Sequence, residues 1–424
     1  MICGCASVPK TPRPDSVETS PTPLRPSRRH APIAMQRRQV LRCTGAALTG
    51  LSFAARTGAE AASAASAAGS PEFAPPPTLA PIRARPDRLI DISVCTRPFR
   101  AQGPRLESER LHGKIVVHHY GHGGSGWSLS WGSAKAALPL ILAPRQRQIA
   151  VVGCGAIGLT TARVAQRAGL RVRIYCRDMP PEVRSSLATG VWSPDSRVCT
   201  SEFATPEFMA RWEAMARTSF RVYQTLLGLP GDPVEWRDGF FLSDVPFDQE
   251  IEEPDRGEPE YPELENLTRD LRPRSIPLNP GEHPFRVPYV RRFTQLQFNL
   301  ASYQRLLLED FLREGGELVQ REFRHPREFG SLREHVIVNC TGYGARALLG
   351  DTSITPVRGQ TARLVPQPEV NYGLYWRGHN LSVVSRRDGI LVQAQGEHDF
   401  GNDDDVPDRA MSEAAVTRLA RLFG

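Results

Sequence analysis

The residues with the clearest chemical signature are three glycines, Gly153, Gly155 and Gly158. Their GxGxxG pattern follows a short apolar run and opens a helical stretch, and a second β-like run then ends in Cys-Arg-Asp at 176–178. In that setting the first glycine allows the turn, the second lets a pyrophosphate approach the backbone, and the third lets the helix pack on the strand. Amide groups at the helix start, around Ala156 and Ile157, favour phosphate. The pattern predicts dinucleotide binding and leaves FAD and NAD open.

The end of the second β-like run carries the candidate for the ribose contact. An acidic residue at that position usually accepts hydrogen bonds from ribose hydroxyls, and Asp178 is the acid available. It stands two residues later than in the simplest pattern, directly after Arg177, and we predict both as cofactor contacts. A plain glycine-rich turn is the alternative, but the surrounding strand, helix and second strand argue against it.

Four further segments carry a family resemblance: SSLATGVWSP (185–194), REGGELVQREF (313–323), VIVNCTG (336–342) and PVRGQ (356–360). Their order and spacing resemble those of the D-amino-acid oxidase family, over the chain from about residue 88 to the C-terminus. The resemblance implies non-covalent FAD as the cofactor. The FAD contacts that it implies at matching positions are Ser185, Ser186, Gly190, Val191, Phe323, Thr341 and Gly342.

Two signatures of the same family stand in an unusual place. TRPFRAQGPRLE (96–107) and VVHHYGHGGSGWSLSWG (116–132) resemble segments near the family's C-terminus, yet here they precede the dinucleotide strand. We therefore predict a circular permutation in which the family's last portion has moved to the front. Domain termini often lie close together at the surface, where rejoining is tolerated.

The resemblance also implies roles at the substrate. Arg97 matches the arginine that clamps the substrate carboxylate, a task that suits a planar two-pronged donor. Gly124 would offer its carbonyl to the substrate amine, and the HGGSG backbone (122–126) would approach the flavin ring, where a Cβ would collide. The following helix would point its N-terminus at the pyrimidine edge of the ring. The flavin contacts implied here are Gly123, Gly124, Ser125, Gly126, Trp127 and Ser128.

The substrate lid departs from the family pattern. The family has a pair of tyrosines near the segment that matches YWRGHNLSVV (375–384). Tyr375 is assigned to one of these positions, while Leu381 stands at the other. Arg377 and His379 are additional polar groups. Arg377 either favours acidic substrate side chains or is a solvated loop arginine.

The function predicted from this resemblance is oxidative deamination by an FAD-dependent oxidase acting on CH–NH₂ groups. D-Amino acids, oxygen and water would give 2-oxo acids, ammonia and hydrogen peroxide. Hydride would pass directly from the substrate α-carbon to FAD, so no general base is required. The alternatives are an oxidase of glycine, N-methyl amino acids or D-aspartate, an NAD-linked dehydrogenase, and an inactive flavin-binding protein.

Other candidate sites carry weaker signals. His118, His119 and His122 lie on a strand and glycine loop with no acidic partner, so we predict no metal site. The five cysteines beyond the leader are odd in number and lack a CxxC pair, and each is interpreted as a small buried hydrophobe. For GNDDDVPD (401–408), capping of the last helix is favoured over a calcium loop.

The net charge of +7 belongs to the N-terminal leader. Residues 1–69 hold nine cationic and three anionic side chains, which leaves about +1 for the rest and no electrostatic footprint for nucleic acid. After Met35, a twin arginine (Arg37, Arg38) precedes a short apolar stretch and small-residue sites, a layout typical of a twin-arginine export signal. A chance arginine pair is the alternative. We expect a bacterial protein exported to the periplasm or beyond, without membrane attachment.

Together these elements predict a circularly permuted two-domain α/β fold, with a Rossmann-like FAD-binding domain and a mixed-sheet α+β substrate domain. The predicted boundaries are 1–34 for a disordered tail or misassigned start, 35–69 for the signal, 70–87 for a Pro-rich linker, 102–196 and 297–356 for the FAD-binding domain, and 88–101, 197–296 and 357–424 for the substrate domain. Residues 244–286 are expected to form a surface excursion. The expected partners are a D-amino acid and oxygen, and a homodimer is left open.

Overall fold

The computed structural model describes residues 79–251, 256–394, 396 and 398–423. The predicted tail, signal and first part of the linker lie outside the described residues. In the described chain no helix is both long enough and apolar enough to cross a membrane.

The strands of the described chain are β1 (Leu89–Arg100), β2 (Arg105–Leu111), β3 (Lys114–Tyr120), β4 (Gln148–Val152), β5 (Arg171–Cys176), β6 (Val234–Ser243), β7 (Ile276–Leu278), β8 (Tyr289–Phe298), β9 (Glu317–Gln320), β10 (Val336–Asn339), β11 (Ile354–Leu364), β12 (Tyr372–Trp376), β13 (Leu381–Arg386) and β14 (Gly389–Ala394). The α-helices are α1 (Gly126–Leu142), α2 (Ala156–Arg167), α3 (Pro206–Gln224), α4 (Leu300–Arg313), α5 (Gly344–Leu349) and α6 (Arg409–Ala420).

The first sheet has the order β2-β3-β10-β4-β5-β9 and is parallel except for the β2–β3 hairpin. Its strand β4 is apolar at almost every position because both faces are covered. Ile149 and Val151 pack on one side with α1, α2 and α4, while Ala150 and Val152 pack on the other with Phe329. This is the layered arrangement of a Rossmann-like domain.

The second sheet has the order β1-β11-β14-β13-β12-β6-β8-β7. Its neighbours are antiparallel except for the parallel pair β12–β6, so the sheet is mixed, as predicted. Together the two sheets confirm the predicted α/β fold class.

The last part of the predicted linker is folded. Ile82 and Ala84 are 3% and 5% exposed and share a hydrophobic core with Val416 and Leu419 of α6. The Tyr372 hydroxyl donates to the carbonyl of Ala80 at 2.6 Å. Proline content predicted a spacer here, but the apolar residues between the prolines are buried against the second sheet. The start of the described chain and its last helix therefore lie together.

The final helix is capped as predicted. The Asp408 carboxylate accepts a hydrogen bond from the backbone amide of Met411 at 2.9 Å. This satisfies one of the free amides in the first turn of α6.

Candidate functional site

A cavity of about 1790 Å³ is lined by both sheets. It extends from the turn between β4 and α2, which carries Gly153, to the face of the second sheet around Arg97. Both candidate regions, the dinucleotide turn and the substrate arginine, therefore open into one space.

The β4–α2 turn has the geometry that its glycines predict. Gly153 has a φ of +109°, and a Cβ there would lie 2.5 Å from the carbonyl oxygen of Cys340. A Cβ on Gly158 would overlap the carbonyl of Gly153. Gly153, Gly155, Ala156 and Ile157 line the cavity, whereas Gly158 lies behind the lining and allows α2 to pack against the turn.

The end of β5 brings the predicted ribose contacts to the cavity. Arg177 and Asp178 both line it and are paired with each other, at 2.9 Å from Nε and 2.7 Å from Nη2 to the Asp178 carboxylate. The hydrogen bond to Asp178 is the main cause that raises the pKa of Arg177. A ribose hydroxyl would therefore meet a carboxylate that is held in place.

The segment after β5 crosses the mouth of the dinucleotide turn. Ser185 Oγ accepts from the amide of Ala156 at 3.1 Å, and Gly190 and Val191 also line the cavity. Gly190 has a φ of +86° and would clash with Phe298 if it carried a Cβ. Ser186 is not in the lining, because its hydroxyl donates to Gln304 at 2.9 Å.

Three predicted contacts lie just after the ends of β9 and β10. Phe323 lines the cavity and packs edge-on against Tyr175. Thr341 is fixed by Asn339, whose side-chain oxygen accepts from the Thr341 hydroxyl at 2.8 Å. At Gly342 the φ is +57° and a Cβ would have no neighbour within 4 Å, so the chain there is open to the cavity.

The loop between β3 and α1 needs glycine for a reason that the sequence did not indicate. A Cβ on Gly123, where φ is +56°, would overlap the carbonyl of Arg197, and one on Gly124 would overlap Ser196. The amide of Gly123 donates to Pro98 and that of Gly124 to Ser196, both at 3.0 Å. Packing against residues 196 and 197 therefore already disfavours a side chain at either glycine, apart from any contact with the flavin.

Most residues of this loop and of the start of α1 line the cavity, and the others support the lining from behind. Gly123, Gly124, Gly126, Trp127 and Ser128 line the cavity. Trp127 Nε1 donates to Ser185 at 2.8 Å, and Ser128 Oγ accepts from the amide of Ser193 at 2.8 Å. Ser125 is fully buried behind the lining, with its hydroxyl donating to the carbonyl of His122.

Arg97 lies across the face of the second sheet. Its Nη1 donates to the carbonyl of Arg358 at 2.9 Å. A Cβ on Gly359 would stand only 2.5 Å from Nη2 and 2.6 Å from Cζ, so the guanidinium occupies the space that glycine leaves on β11. Burial, and then the field of Arg197, lowers the pKa of Arg97.

Arg100, by contrast, forms hydrogen bonds within the fold, to the Ser353 hydroxyl and to the carbonyl of Gly103.

The residues predicted to form the substrate lid lie in different environments. Tyr375 lines the cavity, is 40% exposed and packs edge-on against Phe241. Leu381 is buried in the core of the second sheet, so it cannot cover a substrate. Arg377 donates to the carbonyls of residues 246, 247 and 249 and is not in the lining, nor is His379, which pairs with Asp244 at 2.5 Å. This placement favours the loop-arginine interpretation of Arg377.

The three histidines are built into the fold. The prediction that they lack an acidic partner was wrong, because His118 bonds Glu109 of the neighbouring strand at 2.7 Å. His119 and His122 each bond Ser133 Oγ at 2.7 Å, and burial lowers the pKa of His122 to about 3. Burial also lowers the pKa of His119, and the described residues contain no three-residue His, Cys, Asp or Glu cluster suited to a metal.

The interpretation of the five cysteines as buried hydrophobic residues holds for four of them. Cys154, Cys176, Cys199 and Cys340 are buried and unpaired by disulfides, whereas Cys95 is half-buried and lines the cavity. Burial raises the pKa of the Cys95 thiol despite the nearby arginines.

The sequence did not predict the role of the 244–286 segment. In its described part Leu264 and Thr268 are buried, and three arginines, Arg269, Arg272 and Arg274, line the cavity.

The same segment also contributes an ion pair to the site. Glu258 accepts two hydrogen bonds from the cavity-lining Arg197, at 2.9 and 2.5 Å. No local pattern marks this pairing, since the two residues lie 61 positions apart. The segment is a wall of the site rather than a surface excursion.

Comparisons with known proteins identify the family of this chain. The model of the DAO family, described as FAD dependent oxidoreductase, matches residues 148–424. The chain belongs to this family. A D-amino-acid oxidase of Rubrobacter xylanophilus is 30% identical over 273 residues, covering 64% of this chain and 76% of that one. A D-amino-acid oxidase of Streptomyces coelicolor is 28% identical over 288 residues, covering 66% and 78%.

Among solved structures, the L-alpha-glycerophosphate oxidase from Mycoplasma pneumoniae with FAD bound matches with a TM-score of 0.42. It is 15% identical, and the match covers 65% of this chain and 78% of that one.

Membership of the DAO family confirms FAD as the cofactor, and the cavity suits it. Eleven arginines and four carboxylates line the cavity, which favours an anionic diphosphate. At the start of α2 the amides of Ile157 and Gly158 have no acceptor within the described chain. Such free amides at a helix N-terminus are suited to phosphate oxygens. The individual FAD contacts assigned above stay predictions.

Proposed function

We propose that this FAD-dependent oxidoreductase oxidises D-amino acids to 2-oxo acids, with ammonia and hydrogen peroxide as the other products. The observation that carries the proposal is Arg97, held on the wall of the cavity that also contains the dinucleotide turn. The names of the relatives from Rubrobacter and Streptomyces support the D-configuration. Bound FAD would supply the redox chemistry, accepting two electrons from the substrate and passing them to oxygen.

The residues of the chain would bind and orient the substrate. The guanidinium of Arg97 would donate two parallel N–H bonds to the carboxylate. The carbonyl of Gly124 has no donor within the described chain and would accept from the amine. Because the amide of Gly123 is bonded to Pro98, directly after Arg97, the two groups keep a fixed separation. Tyr375 would cover the bound substrate from the second sheet and reduce its contact with water.

The test is an anaerobic titration of the purified full-length protein, monitored by its visible flavin spectrum. D-Alanine or another D-isomer should bleach the oxidised flavin band, while the L-isomer leaves it unchanged. Bleaching by L-isomers alone, by glycine or N-methyl amino acids alone, or by none of these substrates would contradict the proposal.

We also propose that the chain is a circular permutant of its family. The family model matches from residue 148, while the segments that resemble the family's C-terminal signatures lie in 96–132. Two features support the rearrangement. Residues 143–147 connect α1 directly to β4, and residues 79–88 share a core with α6, where the original connection would have run.

We further propose export by the twin-arginine route, which carries proteins that are already folded around a cofactor. The support is the twin arginine, followed by a short apolar stretch and small residues. Replacing Arg37 and Arg38 with lysine should keep the flavoprotein inside a bacterial host that exports the parent chain. Equal export of both chains would contradict this route.

A further inference from the structure

Three uncharged polar side chains form a row on the cavity face of the second sheet. Thr361 on β11 stands opposite Gln393 on β14, which stands opposite Ser382 on β13. All three line the cavity, and in the described chain none of their side chains has a hydrogen-bond partner. Polar groups on the wall of a cavity that lack internal partners are available to a ligand.

The row lies beside Arg97. The guanidinium rests over Gly359, and Thr361 follows two residues later on the same face of β11. Two residues along a strand span about 6.7 Å, and neighbouring strands lie about 4.8 Å apart. An amino acid whose carboxylate is bound by Arg97 would therefore extend its side chain toward Thr361 and Gln393, since four or five bonds reach about 5 Å.

The charges around Arg97 favour a substrate with one carboxylate. Arg197 is the neighbouring cation whose field lowers the pKa of Arg97, but its own charge is paired with Glu258 through two hydrogen bonds. Asp399 adds a second nearby carboxylate. Of these two arginines, Arg197 is therefore neutralised by a carboxylate, whereas Arg97 has no carboxylate within salt-bridge distance in the described chain.

A more distant arginine does not change this conclusion. Arg291 also lines the cavity, but it lies on β8, five strand spacings from β11. That separation is about 24 Å along the sheet, whereas the two carboxylates of aspartate or glutamate are separated by a few bonds. None of the three residues of the row is cationic, so the row itself offers no charge to a second substrate carboxylate.

We propose that Thr361, Gln393 and Ser382 form the side-chain subsite of the enzyme and select D-amino acids with an uncharged, hydrogen-bonding side chain, above all a carboxamide. The proposal rests on the D-amino-acid oxidase activity proposed above. A carboxamide both donates and accepts, which matches a glutamine amide flanked by two hydroxyls. An apolar side chain would leave these groups without partners, and sites of that kind discriminate strongly.

The test compares substrates of matched shape, with kcat/KM measured by oxygen consumption. D-Asparagine should exceed its isostere D-aspartate, and D-glutamine should exceed D-methionine, each at least tenfold. Gln393→Leu and Thr361→Val should each lower kcat/KM for D-glutamine at least tenfold. They should raise kcat/KM for D-methionine or leave it no lower, because they remove the polar groups that an apolar side chain would leave without partners.

Controls separate this proposal from the activity itself. Ser382→Ala should reduce D-glutamine selectivity, whereas Ser385→Ala on the same strand, whose side chain is buried outside the cavity lining, should not. D-Alanine is too short to reach the row, so its turnover and the FAD content report on the intact enzyme. Turnover of D-alanine with a preference for D-aspartate or D-methionine, or variants with unchanged selectivity, would overturn the subsite. Failure of every D-amino acid would instead refute the proposed activity.

Discussion

Arg97 depends on a glycine that lies far from it in the sequence. Its guanidinium fills the space above Gly359 and donates to the carbonyl of Arg358. Lysine could not reproduce this arrangement, because a point charge on a flexible stem lacks the planar fork that matches a carboxylate. The proposed substrate clamp is therefore a property of two strands, β1 and β11, rather than of one residue.

Removal of Arg97 should abolish tight substrate binding without loss of the cofactor. Two charge-assisted hydrogen bonds of about 1.5–3 kcal/mol each would disappear, so kcat/KM for D-alanine should fall by roughly two to four powers of ten in Arg97→Ala. Stopped-flow flavin reduction measures this, with FAD content as the check on folding. Arg377→Ala, outside the cavity lining, is the control. Unchanged kinetics in Arg97→Ala would remove this arginine from the site.

Gly359→Ala should affect the same step indirectly. The added Cβ would stand 2.5 Å from Arg97 Nη2, and the flexible arginine would yield more readily than the sheet. We expect KM to rise at least tenfold while the thermal midpoint changes by a few degrees at most. A normal KM, measured in the same stopped-flow assay, would mean that the clamp does not require this packing.

At the scale of elements, the loop between β3 and α1 is fixed to the segment around Ser196 and Arg197. Backbone hydrogen bonds from Gly123 and Gly124 connect it to Pro98 and Ser196. The loop therefore positions the start of α1 relative to Arg97, and substitutions there should disturb stability and cofactor binding together.

A pair of glycine substitutions tests this loop. Gly123→Ala combines a positive φ with overlap against Arg197, and should cost on the order of 2–4 kcal/mol in the free energy of unfolding. Gly126→Ala has no neighbour within 4 Å and should leave the stability of the FAD-free protein nearly unchanged. Denaturant unfolding of both variants after FAD removal makes the comparison. Similar losses at the two positions would contradict the packing argument.

At the scale of the whole molecule, the N-terminal part of the described chain belongs to both sheets. Strand β1 pairs with β11, and β3 pairs with β10. Residues 79–142 therefore complete two cores that the rest of the chain leaves open, wherever these residues stand in the sequence.

Reversal of the proposed permutation should preserve the fold. A chain that begins at residue 143 and carries residues 79–142 after residue 423, through a short flexible linker, should bind FAD and keep the thermal midpoint within about 10 °C. The reason is that residues 79–88 already share a core with α6. Deletion of 79–142 is the control and should abolish FAD binding. Failure of several linker lengths to restore a flavoprotein would count against the permutation.

The sequence by itself determined the dinucleotide unit, the FAD-dependent family and the α/β fold class. The GxGxxG turn is local, because its glycines, its helix and its two strands follow one another within about thirty residues. Arg97, the first of the two arginines in TRPFR, could likewise be found, since its neighbours in the chain mark it. Such features can be predicted from the sequence because the residues that define them are close together in the chain.

Only the tertiary structure decided how the substrate region is built. The burial of Leu381 and the row of Thr361, Gln393 and Ser382 depend on which strands lie side by side and which face each strand presents. A shift of one residue in strand register would move each of these side chains to the opposite face. Register is set by long-range packing of the whole sheet, so these contacts carry no signature in the local sequence.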